Sequence, residues 1–162
     1  MQHHPPFAPT LTGAPPLGAD LVRITTGPWA GWFHYKAIPH DMHVGPFYVT
    51  YDGEAVICGF TPEPKNLNLF GIVHGGTLMS FADFALSMIA RGHERDVSTL
   101  TVTFSSEFLG PAPADTPLLA RGEITGGGRN LGFVRGIIYS GEKAVMAFSS
   151  TVKRLRSPEA GA

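Results

Sequence analysis

Cysteine occurs once in the 162-residue chain, at Cys58, and one thiol cannot close an internal disulfide. Charge is also scarce: 15% of residues are ionic and the formal net charge is -1, which excludes a nucleic-acid-binding surface or an acidic tail as the organising feature. No apolar run reaches the length that a membrane-crossing helix needs. The opening MQHHPPFAPTLTGAPPLG lacks a basic start followed by a continuous apolar segment, so it does not read as a secretory signal, and a cytoplasmic protein is expected. Several catalytic templates are missing too. There is no G-x-S-x-G elbow, no G-x4-GK[ST] phosphate loop, no H-E-x2-H pair and no C-x2-C pair, and Gly126-Gly127-Gly128 does not complete G-x-G-x2-G.

What is present is organised around residues 66–91, NLNLFGIVHGGTLMSFADFALSMIAR. Residues 77–90 hold no Gly, no Pro and a single ionisable side chain, Asp83, so a helix of about four turns is predicted there. Leu78, Phe81, Ala85 and Met88 share one side, and Ala82, Phe84 and Ile89 widen it, the pattern of a buried helix. Asp83 falls on the remaining side with Gly76, Ser80 and Ser87. A carboxylate there is either held by a partner or kept for chemistry. Just upstream stands His74-Gly75-Gly76. The N–H groups of a first helical turn lack partners within the helix and carry the positive end of its dipole. Two glycines at that point either allow a tight entry into the helix or let a carbonyl oxygen approach those donors.

From the N-terminus, residues 1–18 are rich in Pro, Gly and Ala and are expected to form a flexible tail, with no role given to His3 or His4. Residues 19–45 form an arm packing on the domain: 19–26 make a short helix or strand, and Trp29, Trp32, Phe33, His34 and Tyr35 either anchor the arm or line a pocket for an aromatic ligand. His40-Asp41-Met42-His43 has metal-binding residue types, but it lies between Pro39 and Gly45-Pro46 and no second cluster completes a ligand set. It reads as a surface loop. Strands are predicted at 47–51 and 54–60 around the Asp52-Gly53 turn, then at 98–109, 118–125, 131–139 and 144–154 after the helix. Cys58 reads as a small apolar filler, and His93 and Glu94 as solvated turn residues. Two strands, a buried helix and four strands imply an α+β domain over 46–156, an antiparallel sheet of five to six strands curled around the helix, with a flexible end at 157–162.

Asn68, Gly71, His74, Gly75, Gly76 and Asp83 give the spacing N-x2-G-x2-HGG-x6-D, which resembles the signature of hotdog-fold acyl-CoA thioesterases of the phenylacetate-pathway (PaaI-like) type. Phe108-Leu109-Gly110-Pro111-Ala112 and Gly128-Arg129-Asn130-Leu131 with Phe133 resemble later segments of that family, and the likeness runs over about residues 44–155. The resemblance implies hydrolysis of an aryl- or medium-chain acyl-CoA to a free acid and CoA, with no cofactor beyond the coenzyme A of the substrate and no metal. It implies roles for Gly75 N–H as oxyanion donor, Asn68 as its helper, Asp83 as general base or nucleophile, His74 as support for the loop, and Thr101 in positioning water. Gly76, Ser80, Arg129 and Asn130 are the expected substrate contacts, Arg129 through a CoA phosphate; Lys153, Arg154 and Arg156 are weaker candidates for the same contact.

Geometry adds a constraint. Eight residues separate Gly75 from Asp83, about 12 Å along a helix, too far for one chain's aspartate to reach its own Gly75 donor. Both groups can act on one carbon only if two antiparallel helices pair about a two-fold axis, so a homodimer with composite sites is expected; the family resemblance implies further assembly as a dimer of dimers, and no nucleic-acid or membrane partner is expected. The alternatives are a non-catalytic acyl-CoA-binding hotdog domain or, ranking lower, a hotdog hydratase or dehydratase.

Overall fold

The computed structural model describes residues 21–36, 38–94 and 97–156. The expected tails at 1–18 and 157–162 lie outside the described residues. One long helix, α2 (Gly75–Arg91), runs against an eight-stranded antiparallel sheet. The strands are β1 (Leu21–Arg23), β2 (Phe33–Tyr35), β3 (Tyr48–Asp52), β4 (Ala55–Phe60), β5 (Val97–Phe108), β6 (Leu118–Gly127), β7 (Leu131–Ser140) and β8 (Lys143–Arg156), and a short helix, α1 (Pro39–Val44), lies between β2 and β3.

The helix begins two residues earlier than its apolar run because His74 caps it: the Nδ1 of His74 accepts the Gly76 N–H at 2.9 Å. It ends at Gly92, whose φ of 56° suits a residue without Cβ. Leu78, Phe81, Ala82, Phe84, Ala85, Leu86, Met88 and Ile89 are all buried, joining Phe47, Phe60, Ile138, Met146 and Val152 in the main core. Cys58 is fully buried in that core and burial pushes its thiol pKa up, as suits an inert filler.

Sheet order is β1-β2-β3-β4-β6-β7-β8-β5, which leaves β5 at one edge, paired only with β8. The sheet exceeds the five to six strands expected because the arm adds β1 and β2, three residues each, with Phe33 opposite Val49 on β3. The arm's aromatics have a second effect. Trp29 and Trp32 pack edge to face with centroids 4.8 Å apart, Trp29 stacks on Tyr48, and its indole N–H donates to Thr61 Oγ1 at 3.0 Å. With Ile57 and Leu119 they form a separate cluster on the sheet face turned away from α2. β4 is therefore covered on both faces, which accounts for its unbroken apolar run Val56-Ile57-Cys58-Gly59-Phe60 where a half-solvated strand would alternate. Gly59 lies under the indoles, and a Cβ there would collide with Trp29 and come within 2.9 Å of Trp32.

The His40-Asp41-Met42-His43 stretch is not a loop. It forms most of α1, which has Pro39 at its start and packs on α2. Asn66, buried, ties it down by donating its amide to the Val44 carbonyl at 2.6 Å.

Candidate active site

The buried face of α2 leaves Gly76, Ser80, Asp83 and Ser87 on the other side, and Asp83 is exposed there. Its neighbour is β5: the Thr101 hydroxyl donates to Asp83 Oδ1 at 2.7 Å. Thr101 sits immediately before an irregularity in the β5–β8 register, between Thr101 and Thr103. One carboxylate oxygen is thus oriented by a neutral donor, while the site stays open to water.

At the other end of the exposed face, the loop before α2 is built from its own polar atoms. Asn68 Oδ1 accepts the N–H groups of Phe70 at 2.9 Å and Ile72 at 3.4 Å, which assigns its carbonyl end to the loop. Asn66 accepts the His74 N–H on its backbone carbonyl at 2.8 Å. Gly76, expected among the substrate contacts, is exposed and donates its N–H to His74 Nδ1 in the cap. Gly75, as the first helical residue, carries the N–H that the helix itself cannot satisfy. The ring of Phe108, at the far end of β5, lies over Gly75, where an added Cβ would meet it at 3.1 Å.

Two further groups reach this face from α1. His40 Nε2 lies 3.1 Å from Ser80 Oγ. The Asp41 carboxyl is pushed above the usual carboxylate range, chiefly by burial and further by the negative charge of Asp83, against an opposing pull from His40. Sequence reasoning placed Ser80 among the substrate contacts but missed His40 and Asp41; the signal available was Pro39, a favoured first residue of a helix.

The expected phosphate contacts divide. Arg129 and Asn130 are exposed in the β6–β7 hairpin, and the sheet register, Gly132 opposite Val152 and Val152 opposite Thr101, sets that hairpin toward the Asp83 end of the face. Arg154 and Arg156 are instead both held by Glu94, Arg156 at 3.0 Å, so Glu94 is an ion-pair anchor and not a merely solvated turn residue. His93 is likewise engaged, with Nε2 3.1 Å from the Gly53 carbonyl and its ring against Tyr51. Among the described residues no group of three or more metal-ligating side chains comes together, and no helix is long and apolar enough to cross a membrane.

Residues 70–147 match the model of the thioesterase superfamily. The fold is similar to that of the PaaI protein from the phenylacetic acid degradation operon of E. coli, with a TM-score of 0.65 at 20% identity over 74% of this chain and 86% of that one. It is also similar to a thioesterase from Haemophilus influenzae, with a TM-score of 0.67 at 16% identity over 78% and 89% of the two chains. A hypothetical thioesterase from Streptococcus pneumoniae, solved with coenzyme A, matches with a TM-score of 0.60 at 19% identity over 68% and 90%. No curated protein sequence matches the chain. A long helix against an antiparallel sheet gives this chain the hotdog fold, and residues 70–147, which include the helix and its glycine entry, are similar to the thioesterase superfamily.

Proposed function

We propose that the protein hydrolyses acyl-CoA thioesters to a free acid and CoA at two composite sites of a homodimer. The observation that carries this reading is the Thr101–Asp83 hydrogen bond, a carboxylate oriented on an open face and, among the described residues, held in no salt bridge. Asp83 takes the proton of a water that attacks the thioester carbon, or attacks it directly to form a mixed anhydride that water then hydrolyses to the free acid and the regenerated carboxylate; in either case the C–S bond breaks and CoA leaves as the thiolate, which takes up a proton. The carbonyl oxygen, as it becomes negative, is received by the Gly75 N–H of the partner subunit, where the α2 dipole favours it, with the Asn68 amide alongside. Arg129 and Asn130, at the Asp83 end, are suited to meet the CoA moiety. No cofactor is required by this chemistry.

Support for pairing comes from two places. The twelve-residue β5 is an edge strand whose Leu100 and Val102 are 55% and 58% exposed, a surface that a second copy would cover. On α2, Met79 stands midway between Gly75 and Asp83 and is 43% exposed, an apolar contact at the point where a two-fold axis relating the helices would cross.

The test is release of free thiol from phenylacetyl-, hydroxybenzoyl- and fatty acyl-CoA by the parent and by Asp83→Asn. Turnover of at least one thioester by the parent, lost in the variant, is expected. An acyl-CoA bound by the parent and never hydrolysed would instead identify a binding domain.

A further inference from the structure

Thr101 meets Asp83 because β5 carries one residue more than its partner strand. Phe108, Ser106 and Phe104 pair with Met146, Phe148 and Ser150, all buried on the sheet face that packs on α2. Counting back by twos, the next side chains on that face of a regular strand would be Val102 and Leu100. The register shifts between Thr101 and Thr103, and beyond the shift the face is taken by Thr101, opposite the buried Val152, and by Val97, itself buried. Val102 is the extra residue of a β-bulge, exposed and skipped in the pairing with β8. In an unbulged strand it would be a valine, with no proton to donate, that stood opposite Val152.

Two side-chain hydrogen bonds close the disrupted step. Ser150 donates its hydroxyl to the Thr103 carbonyl at 2.7 Å, and Thr103 Oγ1 accepts the Thr151 N–H at 3.1 Å. Ser150 is the one polar side chain in the buried row Met146, Phe148, Ser150 and Val152, and a buried hydroxyl needs a partner; here the partner is the bulge. We infer that Ser150 and Thr103 are positioning residues for turnover: they lock the bulge at Val102, and the bulge phases β5 so that the Thr101 hydroxyl faces Asp83. This rests on the thioesterase reading above. A slip of one residue upstream of Thr103 would bring Val102 opposite Val152 and turn Thr101 to the other face of the sheet.

A double-mutant cycle on kcat separates this role from a merely structural one. Thiol release is measured, below the melting temperature of each protein, for the parent, Ser150→Ala, Thr103→Val, Thr103→Ser, Thr101→Val, the double variants Ser150→Ala/Thr101→Val and Thr103→Val/Thr101→Val, and Asp83→Asn. Ser150→Ala and Thr103→Val are each expected to lower kcat about fivefold, the rate equivalent of one hydrogen bond, with KM little changed, while Thr103→Ser, which keeps Oγ1, stays near the parent. Once Thr101 has lost its hydroxyl nothing is left to aim, so neither substitution should cost further kcat in the Thr101→Val background. A loss of the same size in both backgrounds, as general weakening of the sheet would give, overturns the inference, and so does an undiminished kcat in either single variant. If the buried Ser150→Ala does not fold, the exposed Thr103→Val decides the cycle. Asp83→Asn separates the two levels: if it turns over like the parent, the thioesterase reading fails, whereas an inactive Asp83→Asn with an additive cycle defeats the role of Ser150 and Thr103 alone.

Discussion

Thr101 Oγ1 lies 2.7 Å from Asp83 Oδ1, joining the edge strand β5 to the single acidic side chain of α2. A hydroxyl donating to a carboxylate orients its lone pairs without adding charge. Thr101→Val, which keeps the shape and removes the donor, should therefore lower kcat about tenfold with KM little changed, and Thr101→Ser should retain most of the rate. Steady-state thiol release on all three proteins checks this, and a Thr101→Val variant as fast as the parent would make the bond irrelevant to turnover.

Gly75 permits an unusual test of a backbone donor. It is the first residue of α2, a position at which proline is well tolerated, and His74 before it already has φ -64° and ψ 139°, the extended conformation a following proline demands. Gly75→Pro should thus delete the N–H while leaving the helix intact, provided the Phe108 ring yields a few tenths of an ångström. A fall in kcat of about a hundredfold or more, with circular dichroism and melting temperature near those of the parent, is the expected outcome.

The same variant tests the composite site. In a hybrid of Gly75→Pro and Asp83→Asn subunits, one of the two sites carries both lesions and the other carries neither. Random exchange makes half the dimers hybrids, so a mixture of two nearly inactive proteins should recover about a quarter of parental activity. Verified subunit exchange without recovery would show that each chain builds its own site.

Asp41 bears on stability. Burial and the charge of Asp83 raise its pKa in the folded state, so its favourable contribution to folding is complete at low pH, below the unfolded value, and is lost as pH rises through the folded value. Asp41→Asn should accordingly melt about 1–2 °C higher than the parent at pH 7, the difference closing below about pH 4. A melting series by scanning fluorimetry across that range reads the sign directly.

The outer cluster can be probed without touching the site. Trp29 is buried against Trp32, Tyr48 and Gly59, so Trp29→Ala should cost about 3 kcal/mol in urea unfolding. Gly59→Ala, which drives a methyl group into the same indole, should also destabilise the fold, and less so when combined with Trp29→Ala.

Much of this architecture was legible in the chain because Gly and Pro punctuate it: Asp52-Gly53, Pro111 and Pro113, Gly126 to Gly128 and Gly141 separate β3, β4 and β5 to β8 almost where the structure does. β1 falls within the short helix or strand expected over 19–26, but β2 was not legible, since three residues carry no alternation and its pairing depends on Phe33 meeting Val49. α1 was missed for a related reason: six residues span fewer than two turns, and it is packing on α2 and the Asn66 tether that hold them. At the site, Asp83 announced itself as a lone charge in an apolar helix. Its meeting with Thr101 depends on how β5 is set against α2, and that of His40 with Ser80 on tertiary docking, neither of which is encoded in local spacing.

The double coverage of β4 has a practical corollary. Trimming the chain back to residue 46, where the α+β domain was expected to begin, would strip the indoles from Ile57, Gly59 and Leu119 and turn an interior strand into one with a greasy wet side. The shortened protein would be the aggregation-prone version, so the two tryptophans ahead of the recognisable domain belong to its smallest well-behaved form.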